Sequence, residues 1–401
     1  MIYSDIKINT NPGEEYTVSN RFWQGCPTIA RTRGGRLFAG WYSGGTGEPH
    51  PENYNLLVRS DDDGFSWNSP ELVISGRPED DIVAIDIQLW LDPDGKLWLF
   101  FAKINCACGV KPTDPDRWVT WAITCDDPDA EKLKWSKPRL IVTGFLRTQP
   151  TVLSDSSWLL CAYDRSSDHY CYAKSTDRGN SWERCFAGKR LTNTFDENMI
   201  LERKDHSLLM FARDQKPLLT FCESADGKNW SETQYTNILS GSSRFFLRRL
   251  NSGRILLIHN DSNKMRTNLT AALSEDDGKT WNCSLLLDSA GIPQQSVSYP
   301  DAVETPDGRI FIIYDCGRTT FKEIRMAQIT ENDIIAGKIV DYTSYLSRII
   351  SKAPGNPDKE IYERKIKEWQ QWKAVRNFNS ERSRYYDRTK KHPYLPPFQF
   401  F

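Results

Sequence analysis

Six times along the chain a tight polar turn is followed at once by a short apolar run. The instances are Gly34-Gly35-Arg36 before Leu37 to Trp41, Asp94-Gly95-Lys96 before Leu97 to Phe101, and Asp155-Ser156-Ser157 before Trp158 to Tyr163. The others are Asp205-His206-Ser207 before Leu208 to Phe211, Ser252-Gly253-Arg254 before Ile255 to Ile258, and Asp307-Gly308-Arg309 before Ile310 to Tyr314. Apolar runs this short, bounded by turn residues, predict strands of β-hairpins.

A second pattern is interleaved with the first. Ser60-Asp61-Asp62-Asp63-Gly64-Phe65-Ser66-Trp67, Ser175-Thr176-Asp177-Arg178-Gly179-Asn180-Ser181-Trp182 and Ser274-Glu275-Asp276-Asp277-Gly278-Lys279-Thr280-Trp281 share one design, and Ser224-Ala225-Asp226-Gly227-Lys228-Asn229-Trp230 is one residue shorter. Ser and Asp can bond local backbone N–H groups, Gly supplies a positive φ, and Trp pins the turn onto a sheet. Trp182, Trp230 and Trp281 lie about 50 residues apart, a period that marks a propeller or solenoid. Cys125-Asp126-Asp127-Pro128 followed by Trp135 is a degenerate copy. The two periods together predict an all-β chain, a six-bladed β-propeller over residues 1–340 with Trp67, Trp182, Trp230 and Trp281 on equivalent outer turns. The first and last blades are expected to share strands to close the ring.

Residues 341–401 form a short helical and irregular extension. Asp358 to Arg376 reads as a helix, with Glu360/Arg364 and Glu363/Lys367 at i,i+4 and Tyr362, Ile366 and Trp369 on one face. Arg382 to Phe401 mixes basic residues with Tyr, Pro and Phe. The expected role is a tail packed along the propeller's outer wall; the alternative is an arm for docking or dimerising.

Composition narrows the classes. With 401 residues, 39% of them hydrophobic, and 14 Trp, the chain can bury a sizeable core. A net charge of -1 gives no reason to expect nucleic acid or an anionic membrane as partner. No apolar run is long enough to span a bilayer. Met1-Ile2-Tyr3-Ser4-Asp5 has neither a basic nor an apolar leader segment, which predicts a cytoplasmic protein if this is the native start and leaves a secreted one if a leader was removed. Ten cysteines without paired metal spacing fit a reducing compartment, and Cys106-Ala107-Cys108 is too close for a zinc clip. Neither metal nor cofactor is expected.

The chemistry of a propeller belongs to its central mouth. Four residues there fall in a telling order: Glu197 in Phe195-Asp196-Glu197-Asn198, Arg213 sixteen residues later, Arg266 in Met265-Arg266-Thr267-Asn268, and Tyr299 in Val297-Ser298-Tyr299-Pro300-Asp301. With the boxes, this order resembles the sialidase (neuraminidase) superfamily, from about residue 18 to 335. The resemblance implies that Arg213 and Arg266 belong to an arginine triad for the substrate carboxylate, that Tyr299 is the nucleophile, and that Glu197 activates it. The residue types suit the task. Arginines offer planar bidentate donors to a carboxylate. A neutral phenol is a better attacker than an anionic side chain at a carbon that carries a carboxylate, and sialidases are a recognised exception to two-carboxylate glycosidase chemistry.

Two departures from the family pattern stand out. Its first arginine lies in an Arg-Ile-Pro motif, and the matching stretch here is Phe22-Trp23-Gln24-Gly25-Cys26-Pro27, with Gly25 at the arginine's place. Arg21, Gln24 or Arg318 could reach the same carboxylate from another angle. The loop expected to carry an Asp as general acid, Ser43 to Tyr54, contains none; Glu48 is the first candidate, His50 the second and Glu52 the third. Its glycines would let the backbone crowd a ligand. Asp86 and Gln88 match positions where the family contacts substrate substituents, and Asp164 and Arg165 could line the same rim.

The leading expectation is a retaining exo-acting glycoside hydrolase of sialidase type with a carbohydrate substrate, a terminal acidic sugar. The alternatives are a lyase for uronate-containing oligosaccharides, with Tyr299 or His50 as the base, and a non-catalytic glycan-binding propeller.

Overall fold

In the computed structural model, which describes residues 6–111, 114, 117–146, 148–164, 167–192, 197–290, 296–354 and 359–376, six antiparallel sheets stand around one ring. Their innermost strands are Trp23–Arg31, Ile82–Leu91, Phe145–Leu146 with Thr151–Val152, Asn198–Glu202, Phe246–Arg249 and Val297–Glu304, for blades 1 to 6. Each pairs with the apolar run predicted from the first sequence pattern, now the second strand of its blade. Strands buried on both faces require such runs, because neighbouring blades cover both sides of each sheet.

The boxes occupy the outer hairpin, between third and fourth strands, in blades 1, 3, 4 and 5. In blade 1, Gly64 N–H donates to Ser60 Oγ at 2.8 Å and Ser66 N–H to Asp62 Oδ1 at 2.9 Å. The Ser66 hydroxyl above all, with the Ser66 N–H and the Ser60 hydroxyl, holds the Asp62 carboxyl down at about 2. Each box sits against the preceding blade: Gly64 approaches Met326 of blade 6, Gly179 approaches Trp98 of blade 2, and Gly278 approaches Leu209 of blade 4. The box tryptophans are thus bolts between blades. The degenerate copy of blade 2 does the same work, with Trp135 bridging Cys125 and packing on the core between blades 1 and 2.

Three expectations need correction. Among the described residues no strand is shared between blades 1 and 6; Lys7–Asn9 instead adds a fifth, outermost strand to blade 1. The ring closes through side chains: Thr28 Oγ1 to Asp301 at 2.6 Å, Cys26 N–H to Asp315 at 2.8 Å, and Gln24 to the Lys322 carbonyl. The propeller runs past residue 340, because Tyr345–Lys352 is the fourth strand of blade 6. A short helix α1 (Glu331–Ala336) replaces the box in that blade.

The third correction concerns the extension. Helix α2 (Lys359–Val375) does not follow the outer wall; it packs on the mouth-side loops of blades 1 and 2. Its Trp369 donates to the Pro49 carbonyl at 2.9 Å, Lys365 pairs with Glu52 at 2.8 Å, Tyr362 stacks on Phe22, and Arg376 at its end pairs with Asp81 at 3.0 Å. Trp372 packs on the apolar cluster that contains Tyr299. The predicted face of Tyr362 and Trp369 is the docking face, but its partners are the mouth loops of blades 1 and 2. The segment 382–401 lies outside the described residues.

Candidate active site

The innermost strands of blades 1, 2 and 6 share one irregularity. Their pairing slips between Gly25 and Thr28, between Ile85 and Gln88, and between Ser298 and Asp301. At each slip one residue takes a left-handed backbone: Cys26 (φ 55), Asp86 (φ 58) and Tyr299 (φ 57). Bulges of this kind re-aim a side chain, and non-glycine residues hold such a φ only where their surroundings over-determine it. Tyr299 therefore sits at a bulge set near the start of a rigid strand.

Around Tyr299 the structure gathers the four residues predicted from sequence order. Arg213 Nη1 donates to Glu197 Oε2 at 2.9 Å and to Tyr299 Oη at 3.0 Å. Glu197 is 1% exposed and Tyr299 4%. The Arg266 guanidinium carbon lies 5.1 Å from the centre of the Tyr299 ring, and that of Arg318 lies 4.0 Å from it. The guanidinium groups of Arg213, Arg266 and Arg318 thus flank one phenol.

Their charges are compensated unequally. Burial opposes the charge of Arg213, but Tyr299 and Glu197 outweigh it and the guanidinium is held above its ordinary range. Arg318 is likewise buried yet held well above it, by Asp315 at 2.8 Å and Glu48 at 3.1 Å among others. Arg266 is pushed the other way, by burial first, with Arg213 and Arg318 adding repulsion against the pull of Tyr299. Among the described residues Arg266 makes no ion pair with a carboxylate; Glu197 attracts it from a distance, and it bonds the Ser242 carbonyl at 3.5 Å besides its place over the ring. A half-buried cation with its charge so weakly compensated is a place for an anion.

The remaining candidates divide. Arg318 joins the cluster from the turn after the second strand of blade 6, and Glu48 joins through it, accepting from Arg318 Nη1 and from the Tyr42 hydroxyl. Asp86 sits on the bulge equivalent to that of Tyr299 and is 2% exposed. Gln24 is fully buried between blades 1 and 6, bonded to the Lys322 carbonyl, the Trp41 indole and Ser351, so it closes the ring and has no access to a ligand. Arg21 is spent on the Tyr16 carbonyl and Ser351. Gln88 lies in the floor, donating to Thr28 Oγ1 at 2.7 Å and Asp301 Oδ2 at 2.9 Å. Asp164 is paired with Arg184, and Arg165 lies outside the described residues.

His50 and Glu52 face the extension. The His50 ring accepts the Glu52 N–H at 3.0 Å, lies 6.0 Å from the Trp369 ring and is pushed down to about 4, chiefly by burial. The glycines of this loop are crowded by the chain itself: a Cβ on Gly45 would meet the His50 ring, and one on Gly47 would meet Trp369, each at 2.2 Å.

One residue of the cluster carried no sequence signal. Arg244, 2% exposed, places its guanidinium carbon 5.0 Å from the Tyr299 ring centre.

A profile of the BNR repeat-like domain matches residues 26–312, well over half of the chain. The chain belongs to the BNR repeat-like family. Among solved structures, this BNR repeat-like chain is similar to a Hadza microbial sialidase (17% identity, TM-score 0.65, covering 79% of this chain and 67% of that one). It is also similar to the intramolecular trans-sialidase of Ruminococcus gnavus, solved with oseltamivir carboxylate (15%, 0.63, 81% and 98%), and to a protein of unknown function from Dyadobacter fermentans (16%, 0.60, 78% and 93%). At such identities the likeness shows the six-bladed fold. No curated protein matches the BNR repeat-like chain.

Proposed function

We propose that this protein is a retaining, exo-acting glycoside hydrolase of sialidase type, acting on a terminal acidic sugar. The observation that carries this reading is Arg266: a half-buried guanidinium over the Tyr299 ring that, among the described residues, makes no ion pair with a carboxylate. A sugar carboxylate would supply the missing charge, flanked by Arg213 and Arg318. Tyr299 is the nucleophile and Glu197 the base beside it, with Arg213 meeting negative charge as it grows on the phenol oxygen. Glu48 is assigned the general acid at the leaving oxygen; it is positioned by Arg318 and Tyr42 as a carboxylate, and takes up the proton from water before donating it. Arg318 takes the part of the arginine that position 25 lacks.

The test is turnover of a fluorogenic α-sialoside by the purified protein. Release of the fluorophore with the sugar first appearing in its original anomeric form supports the reading, as does loss of turnover by orders of magnitude in Tyr299→Phe with ligand binding retained. An unsaturated sugar absorbing in the near ultraviolet would mark a lyase. Binding without turnover would mark a lectin.

A further inference from the structure

Bulges in blades 1 and 6 leave carbonyl groups out of their sheet ladders, and Pro27 and Pro300 within them have no N–H to offer in exchange. One side chain answers three of these carbonyls. Arg244 lies ahead of the first strand of blade 5, and its Nη2 donates to the Pro27 carbonyl at 3.1 Å, the Tyr299 carbonyl at 3.0 Å and the Pro300 carbonyl at 3.3 Å. Blades 1, 5 and 6 are thereby tied at a single nitrogen under the phenol. Its charge also faces the fully buried Asp301, whose carboxylate takes Thr28, Gln88 and the Ile29 N–H.

We infer that Arg244 is a positioning residue for the nucleophile: it holds the left-handed backbone at Tyr299 and so fixes the phenol against Glu197 and Arg213. A left-handed non-glycine residue relaxes toward ordinary strand geometry unless it is restrained. Relaxation at position 299 would swing the side chain away from Arg213 Nη1, which now stands 3.0 Å from its hydroxyl. Arg244 itself approaches the phenol by its ring face and its backbone, so its effect on a reaction comes through Tyr299. The inference rests on the reading of Tyr299 as nucleophile, while its backbone claim does not.

The experiment uses the full-length protein in two arms. In the first, a crystal structure of Arg244→Gln is compared with that of the wild type; the expected result is that Tyr299 leaves the left-handed region and its hydroxyl parts from Arg213. An unchanged Tyr299 backbone overturns the inference, whatever the protein's activity. In the second, on a fluorogenic sialoside, kcat of Arg244→Gln should fall about 100-fold, the usual consequence of a misplacement near 1 Å, with KM within about threefold. Arg244→Lys, which keeps the charge and one donor, should recover part of kcat, and a variant with wild-type kcat overturns the inference. Should Arg244→Gln fail to fold, Arg244→Lys carries both arms, with a smaller loss expected. A wild type inactive on every acidic glycoside would sink the hydrolase reading and leave the crystallographic arm to decide this one.

Discussion

Arg318 fills the space that a side chain at position 25 would need: a Cβ on Gly25 would lie 2.8 Å from Arg318 Cδ and 2.9 Å from its Cγ. These are mid-chain atoms, and the guanidinium beyond them is fixed by Asp315 at 2.8 Å and Glu48 at 3.1 Å, so the side chain cannot swing aside cheaply. A glycine in blade 1 and an arginine in blade 6 are two halves of one arrangement. A side chain at 25 and Arg318 in its present place exclude one another.

Gly25→Arg is therefore expected to lose stability, by about 1–3 kcal/mol as overpacked cores do, and to lower turnover by dislodging Arg318. Combined with Arg318→Ala, the same substitution should regain most of the lost stability. Chemical denaturation of the single and double variants decides it. An undisturbed single variant would mean that Arg318 does not need the space.

Arg266→Ala should weaken binding of an acidic sugar by roughly 1.5–3 kcal/mol while leaving the fold intact, since it removes a charged donor to the ligand. The protein itself loses one long bond, to the Ser242 carbonyl, and a cation over the Tyr299 ring. Calorimetry with a sialic-acid-type ligand and with its uncharged methyl ester gives the answer. Equal losses for both ligands would show that the guanidinium does not read the carboxylate.

The fold was legible because box chemistry is local. Ser60, Asp62 and Gly64 form their turn with their own neighbours, so residue types betray it wherever it occurs. Glu197, Arg213, Arg266 and Tyr299 were legible by their order. Arg244 was not, because what singles it out is three carbonyls from two other blades, and Ser243-Arg244-Phe245 reads like any strand entry. Gln24 and Gln88 misled for a related reason: polar residues on inner strands can serve a ligand or the ring's own closure, and only packing tells which. One cue was available and unused. Pro27 and Pro300 fall inside the innermost strands of blades 1 and 6, where proline is confined to edges and bulges, and both follow a bulge residue of the site.

His50 predicts a pH dependence. Its ring binds a proton near 6.5 in the unfolded chain but only near 4 when folded, because burial, aided by Lys365 and Lys373 and opposed by Glu52, disfavours the charge. Between these values the unfolded state holds more protons. Stability is thus fully present above about pH 6.5 and is lost as pH falls toward 4, by about 3 kcal/mol at most. Other groups titrate nearby, so the informative quantity is the gap between wild type and His50→Gln, whose side-chain oxygen can still accept the Glu52 N–H. That gap should shrink from pH 7 to pH 4 in denaturant titrations; a constant gap would mean the imidazole is not sequestered.

Helix α2 is held on the mouth-side loops by contacts of unequal weight. The Lys365–Glu52 pair is partly exposed, 21% and 48%, and pairs of that kind are worth less than about 1 kcal/mol. Trp369 is different: its indole bonds the Pro49 carbonyl, lies against Gly47 and covers His50. Losing a large half-buried aromatic with its hydrogen bond should cost about 2–3 kcal/mol. Trp369→Ala is therefore expected to raise hydrogen exchange in residues 45–54 and 359–375 while the blades keep their protection, whereas Lys365→Ala should change little. Exchange read by mass spectrometry on both variants separates the two contributions. If Lys365→Ala loosens the helix as much as Trp369→Ala does, charge rather than the tryptophan holds it in place.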